Sequence, residues 1–126
     1  MKEVINTNKA PAPIGPYSQA VKSGKLLFVS GQIAINPATG NLVLDNINEE
    51  ATQIMRNMGE ILKAAGMDYS NIIKTTIFLT NMNNFSAVNE VYGSFFKEAF
   101  PARETVQVSR LPKDVNIEIS IVAAQE

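Results

Sequence analysis

Apolar residues at helical spacing mark the middle of the chain. Ala51, Ile54, Met55, Met58, Ile61, Leu62 and Ala65 recur within 48–66, which predicts an amphipathic helix with Glu49 and Glu50 at its start and Gly66 at its end. Its methionines read as core filling. A second stripe, Phe85, Val88, Tyr92, Phe95, Phe96 and Ala99, predicts a helix over 84–99 with Asn83 or Asn84 as its cap and Asn89 at the edge of the stripe. Elsewhere the period drops to two. In 72–80, Ile73, Thr75, Ile77 and Leu79 fall on one face and Ile72, Lys74, Thr76 and Phe78 on the other, as in a central strand. The run 25–31 lies between Gly24 and Gly31, and 19–22 can pair with it through Ser23-Gly24. The turn formers at 36–41 predict an exposed loop. Segments 104–109 and 115–124 are both extended, and the turn at 111–114 between them predicts a terminal hairpin. Within the last segment Val115, Ile117, Ile119 and Ile121 share one face, opposite Asn116, Glu118 and Ser120.

The order strand-strand, helix, strand, helix, strand-strand predicts an α+β fold, a mixed sheet with two helices on one face. The other face, carrying Phe78 and Val122 beside polar groups, is poorly suited to water, and packing against identical subunits would cover it and create clefts between chains.

Length and charge narrow the picture. A chain of 126 residues fits one domain spanning 1–126. Net charge is −1, and Lys and Arg are dispersed, so nucleic acid is not an expected partner. The segment 1–13 is polar and proline-bearing with no signal-like apolar stretch, and no run is long enough to span a bilayer, which predicts a soluble cytoplasmic protein without membrane contacts. The chain contains no Cys and no His. Thiolate chemistry, the usual general base and the commonest nitrogen ligand for metals are therefore excluded, and no metal site is expected. Catalysis must use carboxylates, hydroxyls, Lys, Arg, amides, backbone groups, water or a cofactor that the sequence does not advertise.

Four places remain for chemistry. Arg103 shares strand parity with Thr105 and Gln107, opposite Val106 and Val108, which are assigned to the core; that parity points Arg103 to the uncovered face. There its guanidinium suits either a small carboxylate or an acidic neighbour across the sheet. Glu118, amid isoleucines, is placed for proton transfer with water at a raised pKa or for a salt bridge to Arg103 or a Lys. Tyr17 follows Gly15-Pro16, so its hydroxyl is either presented from a rigid turn or part of a packing aromatic. Ser30-Gly31-Gln32 interrupts an apolar strand, as a bulge or as a close approach of ligand to backbone.

These segments resemble the Rid (reactive intermediate deaminase, or YjgF) family over nearly the whole chain. The resemblance runs through Ala12-Pro13-Ile14-Gly15-Pro16-Tyr17-Ser18-Gln19, Ser30-Gly31-Gln32, Lys74-Thr75-Thr76, Val88-Asn89-Glu90-Val91-Tyr92, Phe100-Pro101-Ala102-Arg103, 108–115 and Ile117-Glu118-Ile119. It implies a homotrimer with a chorismate-mutase-like fold and sites between subunits. It also implies hydrolysis of 2-imino acids, released by pyridoxal-phosphate dehydratases, to 2-oxo acids and ammonia without a cofactor. By similarity Arg103 would hold the substrate carboxylate and Glu118 would position or activate water. Tyr17 and Asn89 would shape the site, and Ser30, Gly31 and Thr105 would line it. Glu104 stands where the family often has Ser, and Thr105 where many members have Cys. Strand alternation turns Glu104 away from Arg103; turned inward, it would compete with substrate for the guanidinium. Two other readings are an endoribonuclease or translation inhibitor, and a non-enzymatic metabolite-binding trimer.

Overall fold

The computed structural model describes residues 2–126. Six strands form one sheet in the order β1 (Lys2–Ile5), β2 (Ala20–Ser23), β3 (Leu26–Gln32), β6 (Ile117–Ala124), β4 (Ile72–Leu79), β5 (Ala102–Gln107). All neighbours are antiparallel except β4 and β5, which are parallel. Helices α1 (Ile47–Ala64) and α2 (Phe85–Gly93) cover one face. Their apolar stripes meet Leu27, Val29, Ile77, Leu79, Ile117, Ile119, Ile121 and Ala123 in one core. Met55 and Met58 are wholly enclosed in it, as core filling should be. The mixed sheet with a single helical layer matches the expected α+β architecture, and β2 and β3 form the expected hairpin around Gly24, whose φ is +60°.

Several details differ from the sequence reading. The terminal hairpin does not form. β4 lies between β5 and β6, because α2 returns the chain parallel to β4 on its free edge, and 108–116 then crosses back to the other side of β4. A register shift between Ile72 and Lys74 puts Ile72 in the core and leaves Ile73 exposed, so the alternation holds only from Lys74 onward. The second helix stops at Gly93, and Ser94 Oγ donates to Val91 O at 2.6 Å. The chain must turn towards β5, with Ala99 at a φ of +54° and Pro101 unable to continue a helix. Phe95 and Phe96 still pack beyond the helix end, against Tyr69 and Tyr92 at ring-centre separations of 5.2 and 4.9 Å. Neither predicted cap serves that helix: Asn81 caps the short turn Met82–Asn84 ahead of it, and Asn84 makes no side-chain cap. Val115 leaves the main core for a satellite cluster with Ile33 and Leu111, against which Phe78 and Val108 pack. β1, too short and polar to be recognised, pairs with β2.

The uncovered face carries an apolar row, Val4, Val21, Phe28 and Val122, aligned across four strands. Val4 and Phe28 stay nearly half exposed, as does Val106 on β5. Lys74 pairs with Glu104 on this face at 2.9 Å.

Candidate functional site

The polar residues singled out in the sequence form two groups on opposite sides of the sheet. The first surrounds a cleft of about 340 Å³ walled by Pro11, Ile14, Tyr17, Ser30, Gly31, Ile33, Pro112 and Glu118. β3 bulges between Val29 and Gln32, so Ser30 and Gly31 leave the regular ladder beside Glu118 on β6. The bulge expected at Ser30-Gly31-Gln32 is present, and it borders the cleft. A methyl group on Gly31 would stand 2.5 Å from Glu118 Oε2, so the carboxyl group occupies the space that glycine leaves free. Ser30 Oγ donates to Ser18 O at 2.6 Å and ties the Tyr17 loop to β3. Tyr17 is about half exposed, and its oxygen accepts from Ile14 N at 3.3 Å. Its ring is thus not a core aromatic.

Glu118 is half-buried, and burial pushes its carboxyl pKa above the ordinary range. Neither of the two ion pairs seen among the described residues involves it. The salt-bridge alternative is therefore not realised within the chain, and a half-dry carboxyl facing a cleft is the arrangement that proton transfer with water requires.

The second group lies on the helix side. Arg103 stands opposite Thr75, whose side chain is buried and accepts from Tyr92 Oη at 2.8 Å. The expectation that Arg103 shares the uncovered face is overturned. Val106 is not core: β5 is an edge strand whose outer row, Glu104 and Val106, faces away from the helices, so Arg103 and Thr105 face them. The guanidinium leans on α2, with its carbon 5.6 Å from the Phe85 ring centre and 5.4 Å from that of Tyr92, and Nη1 donates to Asn89 Oδ1 at 2.5 Å. Phe85, Asn89 and Tyr92 recur at i, i+4 and i+7, so one stripe of the helix cradles the cation. Burial raises the Tyr92 phenol, an effect opposed by its bond to Thr75 and by the nearby Arg103 charge. Arg103 itself remains exposed and without an acidic partner among the described residues, because Glu104 turns to Lys74 as alternation requires. The cross-sheet ion pair with an acid is thus absent, and the guanidinium keeps donors free for an anion. Thr105 shares this face; its Oγ1 is buried without a hydrogen-bond partner, so the methyl and backbone are what it can offer a ligand.

Sequence reasoning missed four contributors. Gln19 is buried and binds Thr7 N, Thr7 O and Pro11 O at 2.8, 3.0 and 2.8 Å, which folds the segment that walls the cleft. Phe85 and Tyr92 read as core stripe yet hold the guanidinium, and Glu50, read only as an acid at a helix start, is fully enclosed. Only the helical spacing of Phe85, Asn89 and Tyr92 could have hinted at a cradle. No three residues among His, Cys, Asp and Glu converge as a metal site among the described residues.

Residues 7–125 match the family model described as endoribonuclease L-PSP. The 2-iminobutanoate/2-iminopropanoate deaminase of Homo sapiens is 52% identical over 125 residues, covering 99% of this chain and 91% of that protein. A Rid-family protein of Yersinia pestis superposes with a TM-score of 0.97 at 48% identity, covering 99% of this chain and 100% of that one. TdcF of E. coli, solved with bound serine, superposes with a TM-score of 0.95 at 42% identity, covering 98% and 99%.

Proposed function

The chain belongs to the endoribonuclease L-PSP family, in its Rid/YjgF branch, and from that premise we propose that it hydrolyses 2-imino acids in a site shared between copies of itself. The activity is that of a 2-iminobutanoate/2-iminopropanoate deaminase, the name its mammalian relatives carry at 48–52% identity. The shared site rests on one observation: Arg103 and Glu118, the anion holder and the proton-transfer group, lie on opposite faces of the sheet and cannot meet on one substrate within a chain. A second copy brings them together. The exposed apolar row of Val4, Phe28 and neighbours supplies the surface for that association, and closure into a ring, of three copies in this reading, satisfies every interface.

In this reading Arg103, held by Phe85, Asn89 and Tyr92, takes the substrate carboxylate through two parallel hydrogen bonds. Across the interface the partner copy contributes Glu118, Tyr17, Ser30 and Gly31. The protonated C=N carbon is electrophilic, so little more is needed than an oriented water and a proton path. Glu118 accepts a proton as water adds to that carbon. It returns that proton to nitrogen, and as the C–N bond breaks the adduct's hydroxyl oxygen forms the C=O and its proton passes to the departing ammonia, so 2-oxo acid and ammonium leave and Glu118 is again a carboxylate. Serine, bound by TdcF, has the same carboxylate beside a nitrogen-bearing carbon. No helix among the described residues is long and apolar enough to cross a membrane, and this reading places the protein in the cytoplasm beside the dehydratases that release such imines.

The test generates 2-iminobutanoate with a dehydratase and follows 2-oxobutanoate or ammonia. The wild-type chain accelerates its appearance, and Arg103→Ala, folded and assembled, does not. An Arg103→Ala protein with near-normal rate removes the guanidinium from the mechanism.

A further inference from the structure

We infer that Glu50, a buried acid outside the cleft, is a positioning residue that sets where Glu118 stands. The inference rests on the reading that Glu118 handles the proton. Glu118 accepts no hydrogen bond from a protein group among the described residues, so its carboxyl is placed by the backbone of β6 and by the space over Gly31. That backbone lacks a neighbour on one side. β3 ends at Gln32, opposite Ile119, while β6 extends back to Ile117. The departure of β3 borders the cleft, and it also leaves Ile117, the first residue of β6, and Asn116 before it without a β3 partner.

Glu50 fills that role from the first turns of α1. Its Oε2 accepts from the backbone N–H of Asn116 at 2.9 Å and of Ile117 at 3.0 Å, and Oε1 accepts from Asn116 Nδ2 at 2.8 Å. The side chain is fully buried, and buried donors that lose their acceptor are costly. On the other edge Asn116 O accepts from Thr80 N at 3.1 Å. The residue just before β6 is therefore gripped from α1 and from the end of β4, and Glu118 follows two positions later. A carboxylate at this point of the core lets β3 leave the sheet without loosening the strand that carries the proton-transfer group.

The experiment compares Glu50→Ala, Glu50→Asp and Glu50→Gln with Glu118→Gln in the assembled protein, reading kcat and KM for 2-iminobutanoate and the acidic limb of kcat. Loss or retraction of the acceptor lets Glu118 drift. A shift of about 1 Å is enough to lower kcat by tenfold to a hundredfold, and KM stays within about twofold because the carboxylate grip belongs to Arg103. The acidic limb moves as Glu118 gains water. Glu50→Gln can keep both backbone bonds through its carbonyl once Asn116 turns its amide, and kcat recovers to within about threefold of wild type. An assembled Ala or Asp variant with unchanged kcat and acidic limb overturns the inference. So does failure of both to assemble while Gln has full activity, since the clamp then serves the fold alone. Glu118→Gln separates this from the parent reading: if that variant keeps its rate, the assigned role of Glu118 is what fails.

Discussion

Gly31→Ala is the sharpest small perturbation the site offers. The added methyl would lie 2.5 Å from Glu118 Oε2 and 2.7 Å from its Cδ. Ordinary contact of such atoms lies near about 3.4 Å, so the carboxyl must withdraw by about 1 Å. Gly31 is not in the left-handed region, and the obstacle is the flexible end of a side chain, so the backbone need not move. Forcing Glu118 off its preferred rotamer costs about 1 kcal/mol, and replacing glycine returns a similar amount by restricting the unfolded chain. The two nearly cancel, and stability changes by less than about 1 kcal/mol. Catalysis has no such compensation. A general base displaced by about 1 Å loses on the order of a hundredfold in kcat, with Arg103 untouched on the other face. Thermal unfolding paired with the dehydratase-coupled assay reads both quantities on one preparation. A folded Gly31→Ala protein with kcat within threefold of wild type, whether or not KM rises, refutes the claim that the glycine exists to seat that carboxyl.

Arg103→Lys keeps the charge but loses the planar fork and its stacking on Phe85 and Tyr92, so kcat/KM falls at least about thirtyfold; retention of half the wild-type value in the coupled assay counts against a bidentate grip. Glu118→Gln abolishes catalysis and stabilises the protein at neutral pH. Burial raises the folded pKa of this carboxyl above its unfolded value, so its contribution to stability is present at low pH and lost as pH rises through the folded pKa. Melting curves should show the variant ahead at pH 7 and level with wild type below pH about 4; a constant offset at all pH values contradicts the assignment. The wild-type kcat has an acidic limb above the ordinary glutamate range, seen in a pH series of the same assay.

The two layers were legible because their signals are local. The stripe from Ala51 to Ala65 and the alternation from Ile117 to Ala123 fix which faces are buried, and Gly24 fixes one hairpin. Strand order was not legible, because nothing in 102–107 says whether it pairs with β6 or lies beyond β4. The Arg103 error has the same root: on an edge strand the valine row marks no core, so Val106 pointed the parity argument the wrong way. Tyr17, Ser30, Gly31 and Glu118 stood out in the turn and strand pattern, took their expected roles from the family resemblance, and are gathered at one cleft, whereas Glu50 was hidden because a helix-start acid is usually solvated. Its burial depends on where β3 ends, a fact of tertiary structure.

The division of the site between chains can be measured directly by mixing. Arg103→Ala and Glu118→Gln proteins, each inactive, are unfolded together in equal amounts and reassembled. In a closed ring where each site takes Arg103 from one copy and Glu118 from the next, about one site in four is intact, so activity returns to about a quarter of wild type. Mixed assemblies that stay inactive would mean that both groups serve one site from the same chain, against the two-faced geometry of the sheet.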